Sequence, residues 1–181
     1  MTRRKVLLSS ALGIVFAVLE SFAGRQPVFA IGPDQEQAEL ANALSDVKVS
    51  LQQAFAASER EGQPISGKFE IDGGKLQLSV YTEKDGKFFE VIVDHMTGAV
   101  TKVEPITEGE DLTSAKSQKA AMDRAKGKLR DVATKTTGQA KGEGSVVRVV
   151  SAVPELKDGR PQAAIVLLKG KQFSTASEPL D

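Results

Sequence analysis

The sequence predicts an α+β chain built from two tandem small domains. Each is an N-terminal helix packed on a three- to four-stranded antiparallel sheet. Three observations carry this. Apolar residues spaced three and four apart give way twice to apolar residues that alternate. Asp-Gly turns separate the alternating runs. A polar, Gly-bearing stretch lies between the two passes. The boundaries fall at 1–30 for an export segment, 34–106 for the first domain and 113–181 for the second.

The export segment is read from its charge and hydropathy. Arg3, Arg4 and Lys5 precede an apolar run from Val6 to Leu19 that Glu20 closes, and Val28-Phe29-Ala30 places small residues at a cleavage site. The run is shorter than the ~20 residues a membrane span needs. The mature chain is therefore expected to start at Ile31, with no span left after cleavage, and to be periplasmic or secreted. Thr2-Arg3-Arg4-Lys5-Val6-Leu7 also resembles the twin-arginine export motif, which is the alternative to the general secretory route.

From Asp34 to Arg60 the stripe is Leu40, Leu44, Val47, Leu51, Ala54 and Phe55. Ser50-Leu51-Gln52-Gln53 is a capping box, so a kink or two short helices is expected near 48–50. Gly62 and Pro64 stop the helix. Phe69 and Ile71 alternate, Gly73-Gly74 turns, and Leu76, Leu78 and Val80 alternate again. Asp85-Gly86 predicts a type I′ hairpin into Phe89, Val91 and Val93. Thr97-Gly98 turns into a last strand with Val100 and Val103.

Residues 106–112 read as a linker. Thr113 or Ser114 then caps a helix with Ala115, Met122, Ala125, Leu129, Val132 and Ala133 on one face, ending at Gly138. A Gly-rich loop follows to Gly144. The remaining strands are Val146–Val153, Ala163–Leu168 and Gln172–Ala176, with turns at Asp158-Gly159 and Gly170-Lys171. An offset of 73 residues aligns the passes, taking Leu76 to Val149, Asp85-Gly86 to Asp158-Gly159 and Ile92-Val93 to Ile165-Val166.

On that alternation Leu78, Val80, Phe89, Val91 and Val93 join Leu44, Val47, Leu51 and Phe55 in the core. The second-half equivalents are Met122, Leu129, Val132, Val149, Val153 and Val166. Tyr81, Phe88 and Ile92 go to the opposite face, as do Val150, Ile165 and Leu167. An apolar face of this kind marks either a sheet–sheet contact or a partner site.

The strings Val49-Ser50-Leu51-Gln52-Gln53-Ala54, Gly67-Lys68 and Asp85-Gly86-Lys87 through Asp94-His95-Met96-Thr97-Gly98 resemble the PepSY domain. That family shows a helix of the form S-L-x-x-A, a D-G-K hairpin and a D-x-x-T-G-x-V ending. Residues 48–104 cover one unit, and 114–181 look like a second, in which Leu167 replaces Asp94 and Gly170 replaces Thr97. The resemblance implies an exported binding or regulatory module acting on another periplasmic or envelope protein. Peptidase inhibition and carriage of a small ligand or metal are the alternatives. Asp94, Thr97 and Gly98 read independently as turn chemistry, with the carboxylate bonding amides ahead of it.

The inventory limits chemistry. The 181 residues hold 24 basic and 24 acidic side chains, one histidine and no cysteine. Thiolate metal sites, thiol nucleophiles and multi-histidine metal sites are excluded. His95, the one imidazole, lies in a turn without a serine partner, so no catalytic residue, metal ligand or cofactor site is assigned and no enzyme is expected. Removing residues 1–30 leaves 20 basic and 23 acidic side chains, without a basic stripe for nucleic acid. Tyr81, Phe88, Ile92 and His95 are the candidate partner-binding residues.

Overall fold

A computed structural model describes residues 33–140 and 147–181. The export segment, its cleavage site and the glycine-rich run at 141–146 lie outside the described residues. The elements are helices α1 (Pro33–Ala43), α2 (Leu51–Ser58), α3 (Gly109–Met122) and α4 (Leu129–Ala140), and strands β1 (Gln63–Asp72), β2 (Lys75–Lys84), β3 (Lys87–Val93), β4 (Val100–Ile106), β5 (Val147–Lys157), β6 (Arg160–Lys169) and β7 (Gln172–Pro179). Among the described residues no helix is long and apolar enough to cross a membrane.

The α+β class and the antiparallel strands are as the sequence predicts. The four strands of the first half and the three of the second do not form separate sheets. They join edge to edge in one seven-stranded sheet of order β4-β3-β2-β1-β5-β6-β7. The seam is short: β1 and β5 pair antiparallel at Gly67↔Ala152 and Lys68↔Ser151.

A local two-fold axis passes through this seam, and it sets the repeat at an offset of 85 residues, Gly67 to Ala152, rather than 73. The register features that both halves share obey it. β1 slips against β2 between Pro64 and Ser66, and β5 slips against β6 between Val149 and Ser151. The β1–β2 turn at Gly73-Gly74 corresponds to Asp158-Gly159, and the β2–β3 turn at Asp85-Gly86 corresponds to Gly170-Lys171. Asp85 and Asp158 hold φ of 53° and 50°, the left-handed conformation that a type I′ turn requires.

The bulge corrects the second-half face assignment. An extra residue in a strand displaces the two-residue alternation by one. Ile165 pairs with Ala152, which pairs with Gly67, and a Cβ on Gly67 would lie 2.7 Å from the Phe55 ring. Ile165 and Leu167 therefore share the helix-bearing face and are buried, as is Val150, while Val153, Val166 and Val132 are half-buried. In the first half the core forms as expected from Leu44, Val47, Leu51, Phe55, Leu78, Val80, Val91 and Val93, with Phe89 half-buried.

Helix α2 starts at the capping box. Ser50 Oγ accepts from the Gln53 amide at 3.2 Å, and Gln53 Oε1 accepts from the Ser50 amide at 2.8 Å. The β-branched Val47-Lys48-Val49 run is extended between a 3₁₀ turn (Leu44–Asp46) and α2. Helices α2 and α4 lie side by side on one face, where Gln52 Nε2 donates to the Ala133 carbonyl and to Thr137 Oγ1.

The single second-half helix expected from Thr113 onward is two. Helix α3 starts earlier, at Gly109, inside the expected linker, and Thr113 is inside it, donating to the Gly109 carbonyl. It ends at Met122. The chain then turns while the amides of Lys126 and Gly127 donate to the Leu180 carbonyl. Helix α4 opens at Leu129 on the other face.

Candidate functional site

The face of β1–β4 turned away from α2 and α4 holds three of the four candidate partner-binding residues. Register sets its rows. Ser66 lies opposite Tyr81, Tyr81 opposite Glu90, and Glu90 opposite Glu104. One step along, Lys68 lies opposite Ser79, Ser79 opposite Ile92, and Ile92 opposite Lys102. On the other side Phe88 lies between Glu83 and Ile106. β3 thus presents Phe88, Glu90 and Ile92 in line.

Helix α3 crosses one end of this face. Tyr81 Oη donates to Asp111 Oδ1 at 2.8 Å, Ser66 Oγ donates to Gln118 Oε1 at 2.7 Å, and Lys119 lies 3.8 Å from Glu83. The helix then runs against β5 and β6. Tyr81 is consequently 8% exposed. Burial pushes its phenol well above the usual range, and the Asp111 bond and the charges of Glu90, Asp111 and Glu70 add to that. Tyr81 is a clamp for α3.

Phe88 and Ile92 are half-buried on either side of Glu90, and Phe88 packs against the hydrophobic core. Around them the face is polar: Lys68 pairs with Glu70 at 2.6 Å, Ser79 Oγ donates to Glu70 at 3.3 Å, and Lys102 pairs with Glu104 at 2.7 Å. Burial, with the neighbouring charge of Glu70, pushes the Glu90 carboxyl up, against the Ser79 hydroxyl and Lys68, which pull it down. A carboxyl flanked by two apolar side chains suits an amphipathic contact.

No family model, curated protein or solved structure matches the chain.

His95 is not part of the face. It lies half-buried on the β3–β4 turn, where its carbonyl accepts from the Lys48 and Val49 amides, both at 3.1 Å, and fixes the entry to α2. Its Nδ1 is buried without a partner. Beside it, Asp94 Oδ1 accepts from the Met96 amide (2.9 Å), the Thr97 amide (2.7 Å) and the Thr97 hydroxyl (3.0 Å), while Gly98 takes φ 81°. Those bonds, the Thr97 amide foremost, hold the Asp94 carboxyl below the usual range. The Asp94-x-x-Thr97-Gly98 spacing is a turn that anchors α2. Among the described residues no group of three His, Asp or Glu side chains is placed to hold a metal ion.

One cross-connection escaped the sequence. Arg148, at the start of β5, donates to the Val47 and Val49 carbonyls at 2.8 and 3.2 Å and lies 5.9 Å from the Phe69 ring centre. It ties the second half to the mouth of α2. The residue is half-buried, and burial lowers the pKa of its guanidinium. An isolated Arg inside a β-branched run (Val146-Val147-Arg148-Val149-Val150) was the available signal, since a buried cation needs acceptors.

Proposed function

We propose that the chain is an exported, non-catalytic protein-binding module of the PepSY type, acting in the periplasm or outside the cell. Its halves are tandem units of that type, fused through the β1–β5 seam. The capping box ahead of β1, the hairpin at Asp85-Gly86 and the Asp94-Thr97-Gly98 turn support the family reading. The charged start, apolar run and small-residue site of residues 1–30 support export.

The observation that carries the binding assignment is the half-buried Phe88–Glu90–Ile92 row, on a face that α3 meets at Ser66, Tyr81 and Glu83. Sheet faces in contact with water are ordinarily polar, and apolar side chains at their centre are the usual mark of a contact. The test is a Phe88→Glu, Ile92→Glu double variant, immobilised and exposed to an envelope extract. The expected result is a melting temperature close to wild type with loss of the captured protein. Capture undiminished in the double variant removes this face from the function. Should the captured protein be a peptidase, its turnover with and without the chain separates inhibition from passive binding.

A further inference from the structure

The two edges of the sheet differ in a way that neither the fold nor the proposed partner face requires. Strand β4 closes one edge and β7 the other. The outward groups of each follow from the tight turns. In a hairpin closed by a two-residue turn, the residues flanking the turn form a hydrogen-bonded pair, and such pairs recur at every second position. Lys84 and Lys87 close the β2–β3 turn, so Phe88, Glu90 and Ile92 bond to β4. On β4, Val103 and Pro105 therefore point their backbone outward. Pro105 has no N–H, the Lys102–Glu104 ion pair flanks Val103, and the register slips between Ile92 and Val93. Proline, charge and a bulge are the standard protections of a free edge. The β4 edge is blunted three times over.

The β7 edge has no bulge, and its charge and its proline, Glu178 and Pro179, come only at its last two residues. Lys169 and Gln172 close the β6–β7 turn, so Gln172, Ser174, Ala176 and Glu178 bond to β6, and Phe173, Thr175 and Ser177 turn their N–H and C=O groups outward. The β6–β7 register holds without a slip from Lys169↔Gln172 to Gln162↔Pro179. From Phe173 to Ser177 there is no charge and no proline, and Ser174, Thr175 and Ser177 are exposed. An uncharged, regular edge of this length is a template for another strand.

Its ends carry opposite charge. Lys169 and Lys171 sit at the turn, while Glu178 and Asp181 sit at the far end. We infer that the occupant is a second copy of this chain, paired β7 to β7 antiparallel about Thr175. That axis sets Phe173 opposite Ser177, Ser174 opposite Ala176 and Thr175 opposite its own copy. Gln172 then faces Glu178, and each Lys171 lies at the acidic end of its neighbour. No like charges oppose one another, and the outward backbone groups on each side find partners. A Thr–Thr pair at the centre is a favourable cross-strand contact. The same antiparallel geometry already joins β1 to β5 within the chain. This inference is independent of the partner face on β3.

Sedimentation velocity of the purified chain over a dilution series tests it, with an expected species of twice the chain mass. Thr175→Pro removes an outward N–H and fixes φ, which an edge strand tolerates, and is expected to give a monomer with the wild-type circular dichroism spectrum. If that variant fails to fold, Thr175→Lys replaces it, with the same expectation. Register is read by disulfides, because the chain has no cysteine. Oxidised Thr175→Cys is expected to cross-link, while Ser177→Cys is not, its Cα atoms lying about 14 Å apart across the axis, beyond the ~7 Å limit of a disulfide. A wild-type monomer throughout the series overturns the inference. So does a dimer that survives both Thr175 variants, or equal cross-linking at 175 and 177.

Discussion

The two halves share one backbone plan and differ in what they place on it. Each has a bulged first strand, two tight hairpins and a helix on the same face of the sheet, and the register matches position for position. Behind the sheet the first half shows Lys68, Glu70, Ser79 and Glu90, and the second shows Val153, Ala164 and Val166. The second-half face lies against α3, which is the segment between the halves. The first-half face meets α3 at Ser66, Tyr81 and Glu83 and keeps Phe88 and Ile92 half-buried. The helix between the halves thus covers the second-half face, and the first-half face is the one on which the proposed partner site lies.

The largest fully buried side chain is Phe55, 1% exposed and seated over Gly67 at the seam. Phe55→Ala is expected to cost about 3–5 kcal/mol, because the rigid seam cannot collapse into the space. Chemical denaturation measures it, and a loss below about 1 kcal/mol would place Phe55 outside the shared core. Arg148→Met comes next. It removes the guanidinium that lies over Phe69 and strands the Val47 and Val49 carbonyls, at a cost of about 2–3 kcal/mol. If the halves were independent, this substitution on β5 would leave amide exchange in α2 unchanged. The expected result is faster exchange at the first turn of α2.

A smaller contrast lies at a two-fold-related pair. Thr82 is fully buried with its hydroxyl unpartnered, while its equivalent is the apolar Leu167. Thr82→Val is expected to be neutral or stabilising by about 1 kcal/mol, since it removes an unsatisfied polar atom at constant shape. A destabilised variant would show that the hydroxyl has a partner in solution.

The smallest effect is a pH slope. Tyr81, Ser79, Lys68, Glu70, Glu104 and Asp111 surround the Glu90 carboxyl, whose folded pKa is raised above the ordinary 4.5. Its contribution is fully present below that ordinary value and declines as pH rises through the folded pKa. Glu90→Gln is expected to flatten that decline when melting temperature is followed from pH 4 upward. An unchanged slope would mean that Glu90 is solvated.

Short-range chemistry was legible in the sequence. The Ser50–Gln53 box, the Asp85-Gly86 and Asp158-Gly159 turns and the Asp94 turn each form from residues within a few positions, so their energetics are local. The face of the second half was not, because the bulge at Val150 has no residue signature and reverses alternation across the strand. The repeat offset failed for a related reason: Asp-Gly marks the β2–β3 turn in one half and the β5–β6 turn in the other, and matching the dipeptides displaces every strand by one. Helix α3 buries small residues, Ala115 and Ala121, with Met122, too weak a stripe to reveal which face it covers. Tyr81 accordingly read as exposed, when Asp111 on α3 holds it.

The central structural claim is that the halves form one sheet and unfold as one body. Differential scanning calorimetry of the chain tests it most directly. A single transition whose calorimetric enthalpy equals its van't Hoff enthalpy is the predicted result. Two resolved transitions, or a calorimetric enthalpy near twice the van't Hoff value, would contradict it and return the halves to independent domains.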